Sequence, residues 1–221
     1  MTTNTLYRLS AVALILSFAF SLLGGVLHPV VDGQSHSIEV FLAPRSPWAQ
    51  YFIYVGALFL MLGLPGGYLY FREELGRVGF VGFTMYMLGN ALSAMSHLVV
   101  EAFVAPTLAA DPQGRALISD RGEIFDGAAF VTLQLVGGLI FVISLLVMGI
   151  ALIRATGIPS WIGVLLVVGA LPLLVPLPER PVLAGLIVEV PRGLMVATLG
   201  VLIQQRLGHS RVAAEQEPAH A

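Results

Sequence analysis

Six separate stretches of roughly 20 apolar residues constrain this chain more than any other feature. A helix of that length matches the hydrocarbon core of a bilayer and satisfies its own backbone there. The stretches cover residues 6–27, 48–71, 79–105, 126–153, 159–177 and 182–205. They predict an all-α fold: a polytopic integral membrane protein, one bundle of about six transmembrane helices over residues 1–206, with a disordered polar tail over 207–221. The first stretch is too long for a signal-peptide core and ends at Leu27-His28-Pro29 without a small-x-small cleavage site, so it reads as a retained helix. Pro65, Pro172, Pro176 and Pro191 fall inside stretches and predict kinks that neighbouring helices accommodate. No internal repeat or soluble domain interrupts the pattern.

Composition then excludes several functions. The 221 residues are 57% apolar and only 11% charged, with a mean hydropathy of +0.89, whereas a soluble domain is about a quarter charged. The absence of cysteine removes disulfides, thiolate metal sites, iron–sulfur clusters and a cysteine nucleophile. All eleven basic residues are arginine, so no lysine can hold retinal or pyridoxal phosphate as a Schiff base. A net charge of −2 without a basic patch argues against nucleic acid as a partner, leaving membrane lipid, an apolar small molecule or other membrane subunits.

Arginine asymmetry sets the expected orientation. Arg8, Arg72, Arg77, Arg154, Arg206 and Arg211 flank one side and Arg45, Arg115, Arg121 and Arg180 the other. This predicts cytoplasmic N- and C-termini in a bacterial-type plasma membrane, with loops 28–47 and 106–125 outside. Within the first loop, Ile38–Leu42 reads as an interfacial piece on the outer leaflet. Trp48 and Trp161 fall near predicted interfaces. Methionines such as Met61 and Met148 read as flexible packing, and glycines 63, 66, 67, 82, 89, 137 and 138 as close helix contacts.

Four ionisable residues lie within the spans: His97 and Glu101 in the third, Glu189 and Arg192 in the sixth. Such groups are costly in hydrocarbon and are functional candidates by default. The i, i+4 spacing puts His97 and Glu101 on one face, and Asn90 and Ser93 continue that stripe. Counting from the helix ends places His97, Glu189 and Gln134 all roughly 10 to 12 Å below the outer surface. Arg192, one turn deeper, can pair with Glu189 or with Glu101 across the bundle.

Three readings of this polar layer stand side by side. It can fix helix register through a Glu–Arg pair and hydrogen bonds. It can line a pocket for an apolar or amphiphilic ligand, with His97 and Glu101 handling protons. It can belong to an ion or proton path, although only Asn90 and Thr84 continue it into the inner half. No cofactor is demanded. A bis-histidine haem needs a second histidine facing His97, and His28 lies at a helix end. In the first outer loop His28, Asp32, His36 and Glu39 have ligand chemistry, but Pro29 and Gly33 break the helix that would align them, so no metal site is expected. His209 and His220 read as solvated tail residues.

The run His97-Leu98-Val99-Val100-Glu101-Ala102-Phe103 resembles the His-x-x-x-Glu segment of the emopamil-binding sterol isomerases, members of the EXPERA group. The resemblance implies an intramembrane pocket between about Arg72 and Arg206, with His97 and Glu101 moving a ring double bond by proton transfer. It departs from the family where a second acidic residue is replaced by Gln134, and where an Asn and a Trp fall near Glu189 and Arg192. The resulting expectation is a pocket for a sterol-like or isoprenoid lipid, possible isomerase chemistry at His97 and Glu101, and ligand contacts from Asn90, Ser93, Gln134, Glu189 and Arg192. A non-enzymatic subunit of a larger complex and a small-solute or proton transporter are the alternatives.

Overall fold

The protein is all α-helical in a computed structural model that describes residues 2–119, 124–174 and 180–216, with side chains up to residue 209. The end of the expected fifth helix beyond residue 174, Pro176, Pro178, Glu179, Arg121, His220 and the tail beyond residue 216 lie outside the described residues. Four stretches are long and apolar enough to cross a membrane: Thr3–Leu27, Ser46–Ala110, Ala128–Arg154 and Leu183–His209.

The 65-residue stretch is two helices. Gly76 adopts φ +57 and ψ −156, a conformation that glycine reaches without a Cβ penalty and that no helix propagates. The flanking segments fold back on each other: Tyr68 stacks near Phe80 and Phe83, and far from the turn Tyr51 and Tyr54 meet Phe103. The second helix is therefore 46–75 and the third 77–110, running antiparallel. The fourth is Ala128–Arg154. The fifth, Ser160–Ala170 with a 3₁₀ turn Leu171–Leu173, is shorter than the expected 159–177 within the described residues. The sixth, Leu183–Gln216, continues past the point where a disordered tail was expected, so residues 207–216 are helical.

Consecutive helices pack antiparallel and the sixth closes back on the first. A Cβ on Gly185 would overlap the backbone of Gly25, and one on Gly200 would meet the Ala11 carbonyl further along that seam. Between the third and fourth helices, Gly82 faces Met148, Gly89 faces Phe141 and Gly137 faces Leu92 and Ser93, so the backbones nearly touch. Gly138 makes no such close approach. At one end Arg206 bonds Glu74 at 2.5 Å and the Gly157 carbonyl at 2.6 Å, tying the sixth helix to two turns. At the opposite end, called here the loop end, lie residues 28–45, 111–119 and 124–127.

The loop end has its own small core. The short helix Ile38–Leu42 is capped by the Ser37 hydroxyl and buries Val40 and Phe41, the latter against Ala105, Ala109 and Ile118. Leu42 at the end of the same segment stays exposed, so the piece is anchored to the bundle by two side chains and keeps an apolar residue on its outer side.

Candidate functional site

The third helix is irregular where the polar residues lie. Wide π turns over Asn90–Met95 and Val100–Val104 bracket the α-helical Ser96–Val99. Such turns shift the angular position of everything that follows them and concentrate at functional sites. The expected single stripe is accordingly split. Asn90 is buried beside a void of about 30 Å³ shared with Tyr86, Glu189 and Arg192. Ser93 instead faces the fourth helix, donating to Gln134 Oε1 at 3.0 Å, while Gln134 Nε2 donates to the Ser96 hydroxyl at 2.9 Å. The Ser96 hydroxyl in turn donates a hydrogen bond to the Leu92 carbonyl at 2.6 Å.

His97 and Glu101 do share a face, and a third residue joins them. His36 Nε2 lies 2.8 Å from Glu101 Oε1, His97 Nε2 lies 3.1 Å from the same oxygen, and the two Nε2 atoms are 3.2 Å apart. The Glu101 side chain is 3% exposed, His97 30% and His36 48%, so a buried carboxylate is roofed by two accessible imidazoles. Although both nitrogens are close, Glu101 Oε1 has no hydrogen bond of acceptable alignment among the described residues.

The loop reaches the third helix through a tight reversal. Asp32 and Gly33 both adopt positive φ, 50 and 77, and Val31 and Gln34 exchange backbone hydrogen bonds of 3.0 and 2.9 Å across them. This is the geometry of a primed two-residue turn. Pro29 and Gly33, read in the sequence as obstacles to a metal site, belong to the reversal that brings His36 over Glu101. The sequence reading missed His36 as a partner because it considered only alignment along one helix; the Asp-Gly pair was the available signal.

The other loop candidates are directed elsewhere. His28 Nδ1 faces the Pro29 carbonyl at 3.0 Å and its Nε2 meets Gln50 Nε2 at 2.9 Å, while its ring stands 6.1 Å from that of His36. The Glu39 carboxyl is held below the usual carboxylate range by its own backbone N–H first and by the Ser37 hydroxyl second. Among the described residues, His36, His97 and Glu101 are the group able to hold a metal, a different set from the four loop residues.

Two cavities meet at His36. The larger, about 500 Å³, is lined by Ile118, Phe125, Phe130, Val131 and Leu135 and by the polar residues His36, His97, Ser119, Asp126 and Gln134. His97 stacks on Phe130 with centroids 6.2 Å apart. The smaller, about 240 Å³, contains His28, His36, Arg180 and Glu189. Glu189 and Arg192 form a two-pronged pair within the sixth helix, Arg192 Nε donating to Glu189 Oε2 at 3.1 Å and Nη2 to Oε1, and Arg192 lies over the Phe141 ring. Of the two pairings open to Arg192, the structure has the local one. No protein-family model, curated protein or solved structure matches the chain.

Proposed function

We propose that this protein binds an amphiphilic lipid of sterol-like or isoprenoid type in the cavity between the third and fourth helices, with the ligand's polar end at His36, His97 and Gln134. One observation carries the reading: a cavity of about 500 Å³ whose walls are mainly aromatic and aliphatic, with His36, His97 and Gln134 as well as Ser119 and Asp126 supplying polar groups. That volume and that division of chemistry suit a small amphiphile. Val131 and Leu135 on its rim are exposed on the face of a membrane-spanning helix, so an acyl or ring system can enter from the bilayer.

The proposal is restricted to binding. Double-bond migration of the kind implied by the resemblance takes a proton donor and a separate acceptor; of the two carboxylates at hand, Asp126 is on the cavity lining, whereas Glu101 lies beneath the two histidines and outside it. Gln134 cannot ionise, and Glu189 is engaged by Arg192. Asn90 and Arg192 line the small void instead of this cavity.

Mass spectrometry of the protein purified in mild detergent, with extraction of whatever lipid remains, tests the reading. A stoichiometric sterol-like or isoprenoid lipid that is lost in Val131→Trp, which fills the cavity without touching its polar end, supports it. Bulk phospholipid alone, or a stably attached second protein, contradicts it and favours a subunit role.

A further inference from the structure

We propose that His36, His97 and Glu101 form the seat of one divalent first-row transition metal ion. The inference goes beyond the lipid pocket and stands whether or not that pocket is filled.

Geometry is the first argument. The three ligand atoms form a nearly equilateral triangle with sides of 2.8, 3.1 and 3.2 Å. Metal bonds of about 2.1 Å give ligand separations of about 3.0 Å on an octahedral face and about 3.4 Å on a tetrahedral one. The triangle therefore has the size that one cation requires, with little movement of the side chains.

Hydrogen bonding supplies the second. Two imidazole nitrogens and a carboxylate oxygen, each bearing a lone pair, repel at such separations unless a proton or a cation lies among them. A proton between the two imidazoles accounts for the His36–His97 side of the triangle, but it leaves Glu101 Oε1 without a hydrogen bond. A metal above the triangle uses all three lone pairs at once.

Charge is the third. A buried carboxylate requires a compensating positive charge. Among the described residues no arginine pairs with Glu101; its close contacts are the two imidazoles, and Arg192 is committed to Glu189. Two histidines and one carboxylate are the donor set of open zinc and non-haem iron sites, in which positions remain for an outside ligand. Here those positions face the large cavity, where an oxygen atom of a bound molecule can reach the metal. The loop reversal at Asp32-Gly33 supplies one ligand and the third helix two, so metal binding would also pin the loop to the bundle.

The test uses the full chain, purified in detergent without a histidine tag, stripped with a chelator and titrated with Co²⁺. The expected result is uptake of one equivalent with visible ligand-field bands, displaced by Zn²⁺. Affinity should fall at least 100-fold in His97→Ala, His36→Asn and Glu101→Gln, and stay unchanged in His209→Ala. His36→Asn replaces a half-exposed loop residue and keeps the test valid if His97→Ala fails to fold. Val131→Trp should lose lipid and keep cobalt, separating this proposal from the pocket reading. Absence of stoichiometric uptake by the unaltered chain, or uptake equally tight in His36→Asn and Glu101→Gln, overturns the proposal.

Discussion

Two buried carboxylates in this bundle stand in opposite situations. Glu189 is gripped by Arg192 three residues away on the same helix, beside a void of about 30 Å³, roughly the volume of one water molecule. Glu101 is approached by two histidines, one from a distant loop, with short distances but poor alignment, and opens through them onto two larger cavities. The first group has a complete local solution to its burial, since the arginine on its own helix meets its charge even though it also lines the cavity of about 240 Å³. The second has three converging ligand atoms, no arginine partner among the described residues, and access through its two histidines. Burial of an ionisable residue in a membrane helix is therefore not enough to mark a site; what surrounds the group decides whether it fixes the helices or does chemistry.

The comparison breaks most visibly in stability measurements. Arg192→Met leaves Glu189 buried without its partner and is expected to cost about 3 kcal/mol in reversible unfolding, whereas Glu189→Met combined with Arg192→Met should recover most of that loss. If the double variant is as unstable as the single one, the pair is not a self-contained structural unit. Next in size is Gly89→Val, where even the Cβ would lie 2.6 Å from Phe141 Cα; separation of the third and fourth helices should cost about 2 kcal/mol and distort the large cavity. Gln134→Leu removes the bonds to Ser93 and Ser96 and should cost about 1 kcal/mol by thermal unfolding. Smallest is Glu101→Gln without metal, expected to change stability by less than about 1 kcal/mol, since the replacement keeps the shape and removes a buried charge. A loss as large as that of Arg192→Met would place Glu101 in the structural class.

The bundle was legible because the signals for it are local. Apolar length identifies each long helix, and the i+3 spacing of Glu189 and Arg192 was one of two pairings that could be foreseen. Within the described part of the fifth helix, Leu171-Pro172-Leu173 is as apolar as the rest but turns as 3₁₀, which hydropathy does not distinguish. The tail was underdrawn because residues 207–216 are polar yet continue a helix already nucleated in the membrane. The site was only half legible. His97 and Glu101 follow from helical spacing, but Asn90 and Ser93 point apart because π turns intervene, and hydrophobic periodicity carries no trace of such turns. His36 depends on a loop reversal whose direction is a tertiary matter, although Asp32-Gly33 announces that some reversal occurs.

The central claim is that the His36, His97 and Glu101 cluster is a ligand site while Glu189 and Arg192 are structural. It is tested most directly by thermal unfolding of the chelator-treated protein with and without Zn²⁺. A ligand that binds only the folded state at about 100 times its Kd adds about 2.7 kcal/mol. The account predicts a stabilisation of that order in the unaltered chain and in the Glu189→Met, Arg192→Met double variant, and none in Glu101→Gln. An equal response of Glu101→Gln, or no response of the unaltered chain, would contradict it.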